Sequence, residues 1–107
     1  MRYRVLILRR AEQELRDAAD WIAEHSPSAA QRWFNGFVDA LCTLDREPQR
    51  CGLAPESASS RCELRQLIYR PKTGRAYRAI FTIAGDQVRI LRIRGAGQDL
   101  LTAEELG

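Results

Sequence analysis

Residues 76–94 read AYRAIFTIAGDQVRILRIR, two apolar runs rich in β-branched residues that meet at Gly85-Asp86. That dipeptide has the residue types of a two-residue hairpin turn, so 76–84 and 87–94 are predicted as an antiparallel pair. A two-residue turn pairs Ile83 with Val88, Phe81 with Ile90, Ala79 with Arg92 and Tyr77 with Arg94 on one face. The other face then holds Thr82 with Arg89, Ile80 with Leu91, and Arg78 with Ile93. In this register Arg78 points away from Arg92 and Arg94 unless a bulge re-aims one strand. Both faces carry large apolar side chains, Phe81 and Ile90 on one and Ile80 and Leu91 on the other. A single helical layer covers only one of them, so something else must cover the second.

Upstream, residues 62–70 form a third strand-like run, set off by Pro71-Lys72-Thr73-Gly74, which completes a three-stranded meander. Residues 48–60 collect Pro, Gly and Ser without periodicity and read as a connecting loop. Before them, Ala30, Trp33, Phe34, Phe37, Val38, Leu41 and Leu44 recur at helical spacing until Pro48. We read that aromatic stripe as core and not as a platform for stacking bases. Ser26-Pro27 supplies an N-cap and a first-turn proline for this helix. A preceding helix runs from Ala11, with Leu15, Ala18, Ala19 and Ile22 on its apolar stripe. So short a break between them predicts an antiparallel helix hairpin. Residues 3–8 make an opening strand. The expected fold is therefore α+β: an N-terminal strand, a helix hairpin, then an antiparallel meander with the helices on one face. All of it is expected in a single domain spanning 1–107, the size of one ordinary hydrophobic core.

Of the 107 residues, 45% are hydrophobic and 29% charged, which excludes a disordered chain. No apolar run approaches the roughly 20 residues of a membrane span, and the start lacks the apolar stretch of a secretory signal, so a cytoplasmic protein without membrane contact is expected. Cys42, Cys51 and Cys62 cannot all pair and show no C-x-x-C spacing; with His25 as the lone histidine, neither metal nor cofactor is expected. Charge is uneven. Residues 1–60 hold eight basic and nine acidic side chains, 61–94 hold nine and two, and 95–107 hold none and three. The resulting balance of −1, +7 and −3 points to a partner with negative charge, nucleic acid or acidic protein.

Glu63-Leu64-Arg65-Gln66-Leu67, the strand Ala76-Tyr77-Arg78-Ala79-Ile80-Phe81, and Val88 to Arg94 leading into Gly95-Ala96-Gly97-Gln98-Asp99-Leu100-Leu101 together resemble the RelE/ParE family of toxins from bacterial type II toxin-antitoxin modules, which also includes proteins described as plasmid-stabilising. The resemblance covers nearly the whole chain. It implies a cognate antitoxin as partner, in a toxin-antitoxin hetero-oligomer, and one of two targets. ParE-like toxins arrest growth by poisoning DNA gyrase and cut nothing; RelE-like toxins are mRNA interferases that cleave messenger on the ribosome. For the nuclease, the resemblance implies Arg78, Arg65 and Arg92 as the catalytic, phosphate-holding set. Arg70, Lys72, Arg75, Arg94 and Gln98 are the candidate target- or phosphate-binding residues. Ile80, Leu91 and Ile93 are the candidate antitoxin-binding residues, which would make the antitoxin the cover of the second sheet face.

The sequence departs from the nuclease pattern. Aligning Arg94 and Asp99 with relatives that end aliphatic-Arg-His-Gly-x-Arg-Asp puts Gly95 in place of the histidine and Gln98 in place of the second arginine. His25 falls in the turn between the helices. Tyr69, Tyr77 and Glu63 remain as proton-transfer groups, and an ordinary tyrosine is a poor base at neutral pH. A ParE-like binder of gyrase is the favoured reading and a ribosome-dependent endoribonuclease the alternative; a toxin that only binds its antitoxin is the third outcome. For the tail, a short helix capped by Thr102 is expected, its leucines either packed on the sheet or presented to a target.

Overall fold

The computed structural model describes residues 1–72, 74–95, 98 and 100–106. Strand β1 (Arg4–Ile7) leads into the helices α1 (Arg9–Ala23) and α2 (Pro27–Cys42), followed by 3-10 turns at Thr43–Asp45, Pro48–Arg50 and Pro55–Ser59. Then come β2 (Arg65–Tyr69), β3 (Tyr77–Ala84), β4 (Gln87–Gly95) and a terminal turn of helix, α3 (Ala103–Leu106). The strands form one sheet in the order β1-β4-β3-β2, antiparallel within the meander and parallel where β1 joins β4. This is the α+β arrangement expected from the sequence.

Local chemistry explains the helix hairpin. Ser26 Oγ accepts the Ala29 N–H at 3.2 Å, and Pro27 occupies the first turn of α2, where a missing N–H leaves no intrahelical bond unmade. α1 begins at Arg9, ahead of its apolar stripe, and Leu8 provides no capping side chain. Ala11, Leu15, Trp33, Phe37 and Leu41 from the two helices meet Ala79, Phe81, Val88, Ile90 and Ile93 from the sheet in the main core. Gly36 lets α2 approach β2 closely, because a Cβ there would collide with the hydroxyl of Tyr69.

The register of the β3–β4 pair differs from the simple one. Ile83 faces Val88 and Phe81 faces Ile90 as the tight turn dictates, with Gly85 at φ +60°. Beyond them the ladder slips by one residue, so that Ile80 faces Arg92, Ala79 faces Ile93, Arg78 faces Arg94 and Tyr77 faces Gly95. Leu91 is the extra residue of a β-bulge. The expected pairs Ala79–Arg92, Tyr77–Arg94, Arg78–Ile93 and Ile80–Leu91 are thus corrected. The physical reason lies in the core: an unbroken register would drive Arg92 and Arg94 against the helices and turn Ile93 away from them, burying two guanidinium groups in apolar surroundings.

The second face of the sheet carries its own small core. Ile80 lies fully buried beneath Ala54, Leu64 and Leu101, with Leu91 and Leu106 packed at the margin. The expectation that another protein must cover this face is corrected, since the 48–64 segment and the tail cover it from within the chain. Backbone bonds hold the segment along β2, Ala54 N–H to the Leu64 carbonyl at 2.8 Å and Gln66 N–H to the Gly52 carbonyl at 3.1 Å. Residues 62–64 serve this crossing, which is why β2 begins at Arg65 and not at Cys62 as expected.

Candidate functional site

The bulge gathers Arg78, Arg92 and Arg94 on the second face, the same-side arrangement that a phosphate site requires. Their partners decide what they can do. Arg78 Nη1 and Nη2 donate to the two oxygens of Glu56 at 2.7 and 2.5 Å, and Nη1 also donates to Gln66 at 3.2 Å. Glu56 is 2% exposed, and its Oε2 accepts the Leu101 N–H at 3.0 Å. The bond from Arg78 holds the Glu56 carboxyl down to about 2 against the opposing effect of burial, with the Leu101 N–H adding to it. One carboxylate therefore joins β3, the Pro55–Ser59 turn and the tail.

Arg92 is bound in the same manner at the other edge. β1 stops pairing with β4 at Ile90, and Glu14 of α1 takes up the edge beyond, accepting the Ile93 N–H at 2.9 Å. Arg92 Nε and Nη2 donate to Glu14 at 3.0 and 2.8 Å, and Nη1 donates to the Glu105 carbonyl at 2.7 Å. Glu14 raises the Arg92 pKa above its already high ordinary value. Arg65 sits opposite Phe81, on the helix side of the sheet, and donates to the carbonyls of Cys51 at 2.6 Å and Gln49 at 3.2 Å and to Glu63 at 3.0 Å. Arg78, Arg92 and Arg65 thus do not converge on a common point, and each guanidinium already has carboxylate or carbonyl acceptors.

The proton-transfer candidates are also placed structurally. Tyr69 stacks on Phe37 with ring centroids 4.7 Å apart, and Tyr77 meets Trp33 edge-on at 5.0 Å. Glu63 is paired with Arg65, and His25 lies edge-on to Trp21 at 6.1 Å in the helix turn. Gly95 leaves little room for a side chain, since a Cβ there would stand 3.3 Å from both Tyr77 and Gln98. Gln98 fills the gap by accepting the Gly95 N–H. Among the described residues no group of three His, Cys, Asp or Glu side chains is placed to hold a metal. The three cysteines are free thiols, and burial pushes that of Cys51 upward.

Of the remaining candidates, Arg70, Lys72 and Arg75 are exposed, and Arg94 is half-buried opposite Arg78. Ile80 and Ile93 are buried within the chain, Ile80 under the tail and Ile93 under the helices; Leu91 is half-buried. The sequence reading missed Glu56 and Glu14, the two carboxylates that organise the arginines. Glu56 lies in an aperiodic loop and Glu14 among several charges on a helix, so neither carried a local signal. It also missed a groove of about 580 Å³ between the helix turn and the β2–β3 turn, lined by Trp21, Trp33, Tyr69 and Tyr77 and rimmed by Arg32, Lys72 and Arg75.

The solved structure described as the chromosomal ParDE TA system from P. aeruginosa is similar in fold, with a TM-score of 0.68 and 20% identity over 87% of this chain and 95% of that one. No curated protein matches. No helix among the described residues is long and apolar enough to cross a membrane. The family model for the ParE toxin of the type II toxin-antitoxin system parDE matches residues 5–100, nearly the full span of sheet and helices described above, and the chain belongs to that family.

Proposed function

We propose that this chain is the growth-arresting toxin of a type II module that acts in the cytoplasm by binding DNA gyrase, without phosphodiester chemistry, and that a cognate antitoxin restrains it in a hetero-oligomer. The observation that carries this reading is the engagement of Arg78 by the buried carboxylate of Glu56. A guanidinium that neutralises a scissile phosphate in the transition state needs free donors, and those of Arg78 are directed at a carboxylate that is itself buried. Gly95 in place of the acid-base histidine supports the same reading, as does membership of the ParE family. The test is purified toxin assayed in parallel for inhibition of gyrase supercoiling and for cleavage of messenger on programmed ribosomes. Inhibited supercoiling with intact messenger is expected. Cleaved messenger with gyrase unaffected would replace this reading with the ribonuclease.

A further inference from the structure

The cover that the chain lays over its second sheet face stops partway. Ala54, Leu64 and Leu101 close over Ile80, and Leu91 and Leu106 form the margin of that small core. Beyond the margin, toward the Gly85-Asp86 turn, the face lies open. Side chains alternate along a strand, so Arg4, Leu6 and Leu8 share this face while Val5 and Ile7 pack into the helix-side core. The register sets Leu6 beside Arg89 and Arg4 beside Gln87, with Thr82 facing Arg89 on the other flank. Leu6 and Leu8 are each 37% exposed, and Arg4 and Arg89 are exposed beside them. Arg46, exposed and bridged to Arg2 just ahead of β1, adds a further positive charge at this edge. Neither Arg4 nor Arg89 forms an ion pair among the described residues, and β1, β3 and β4 contain no acidic residue at all.

We propose that this open half-face is where the toxin meets its target, and that it fits an acidic surface of a folded protein with an apolar centre. Leu6, Leu8 and Leu91 supply an apolar middle and the arginines a charged rim, the anatomy of a protein interface. Carboxylates on the partner give the unpaired guanidinium groups of Arg4 and Arg89 charge-assisted hydrogen bonds. A protein, and not a nucleic acid, is indicated by the leucines, because phosphates offer an exposed leucine nothing to pack on and nucleic-acid interfaces are more polar than this one. A folded surface, and not a peptide segment, is indicated by the setting, a sheet face in place of a groove. The aromatic groove lies at the β2–β3 turn, the opposite end of the strands, so the two surfaces are separate. The proposal rests on the reading of the chain as a target-binding toxin and deepens it by naming the face that binds.

The test compares the full chain with Arg4→Glu plus Arg89→Glu, with Arg89→Glu alone, with Leu6→Ser, and with Arg16→Glu, which makes the same single charge change at an exposed position on α1. Three readouts are taken: the concentration that half-inhibits gyrase supercoiling, growth arrest on induced expression, and binding of a short labelled DNA duplex by fluorescence anisotropy. The double variant is expected to inhibit about tenfold or more weakly than the parent, Arg89→Glu and Leu6→Ser several-fold more weakly, and Arg16→Glu as well as the parent does. All four positions are exposed, and unchanged thermal melts check that the variants fold. Parent-like inhibition by the double variant and Leu6→Ser overturns the proposal, and so does equal damage from Arg16→Glu and Arg89→Glu. Duplex binding by the parent that the double variant loses would make this a nucleic-acid surface and overturns it as well. Failure of the gyrase reading is seen separately, as a parent that leaves supercoiling intact; growth arrest then decides the face by itself. Loss of arrest in the double variant and Leu6→Ser upholds the face, and parent-like arrest overturns it. A parent that neither inhibits supercoiling nor arrests growth overturns both.

Discussion

Arg78 separates a phosphate-binding role from a structural one, because the two respond differently to its removal. Arg78→Met leaves Glu56 a buried carboxylate without its cation, at a cost of about 3–5 kcal/mol. Urea unfolding measures that loss. Combining Arg78→Met with Glu56→Leu is expected to recover most of it, since an apolar pair removes the desolvation cost together with the attraction. A single variant as stable as the parent would show that the pair does not hold the second face. The same carboxyl shapes the acid limb of stability. Its folded pKa of about 2 lies below the ordinary 4.5, so the folded state binds this proton more weakly than the unfolded state does. The stabilisation is complete above the ordinary value and drains away as pH falls toward 2, amounting to roughly 3 kcal/mol. In Glu56→Gln the melting temperature should lose this slope over that window.

At the level of single elements, the bulge and the helix–sheet contact make separable predictions. Deleting Leu91 removes the extra residue and leaves Ile80 opposite Arg92 and Ala79 opposite Ile93, so no side chain changes face and the cooperative thermal transition followed by circular dichroism is expected to survive; its loss would show that the bulge itself is required. Gly36→Ala improves helix propensity by about 1 kcal/mol, yet it forces Tyr69 from its place on Phe37; net destabilisation of about 1–2 kcal/mol in urea is expected. A stabilised Gly36→Ala variant would mean that the tyrosine moves aside freely. The elements themselves were largely legible in the sequence. Ser26-Pro27 and Gly85-Asp86 act through neighbouring backbone, so their effects could be read from adjacent letters. The start of α1 was less legible because Leu8 leaves it uncapped, and the bulge was not legible because its cause is tertiary: the place of Ile93 in a core shared with helix residues from Ala11 to Leu41, 52 to 82 positions away.

Across the whole molecule, the cover of the second face was the feature hidden from a linear reading. A loop without periodicity gave no sign that Ala54 and Leu64 meet Leu101 over Ile80, whereas packing of the tail leucines on the sheet was one of the two expectations. The reciprocal bonds between Thr102 and Glu105, at 3.1 and 3.2 Å, give the tail the capped turn expected of it, and buried Leu101 gives it a packing role. Removing residues 101–107 is expected to cost about 2–3 kcal/mol, lower the melting temperature by about 10 °C and increase binding of a dye that reports exposed apolar surface. Unchanged dye binding would show that the tail is not a cover. The parallel pairing of β1 with β4 bears on how the chain comes into being. Arg4–Ile7 is made well before its partner, residues 87–90, which lies 83 positions further along the chain. The helix hairpin can form while synthesis continues, because its contacts are local. The opening strand must wait, unpaired, until a partner 83 positions further on has been made, so closing the sheet is the slow, long-range step of folding, and the surface that depends on all four strands is acquired only after the helix hairpin is in place.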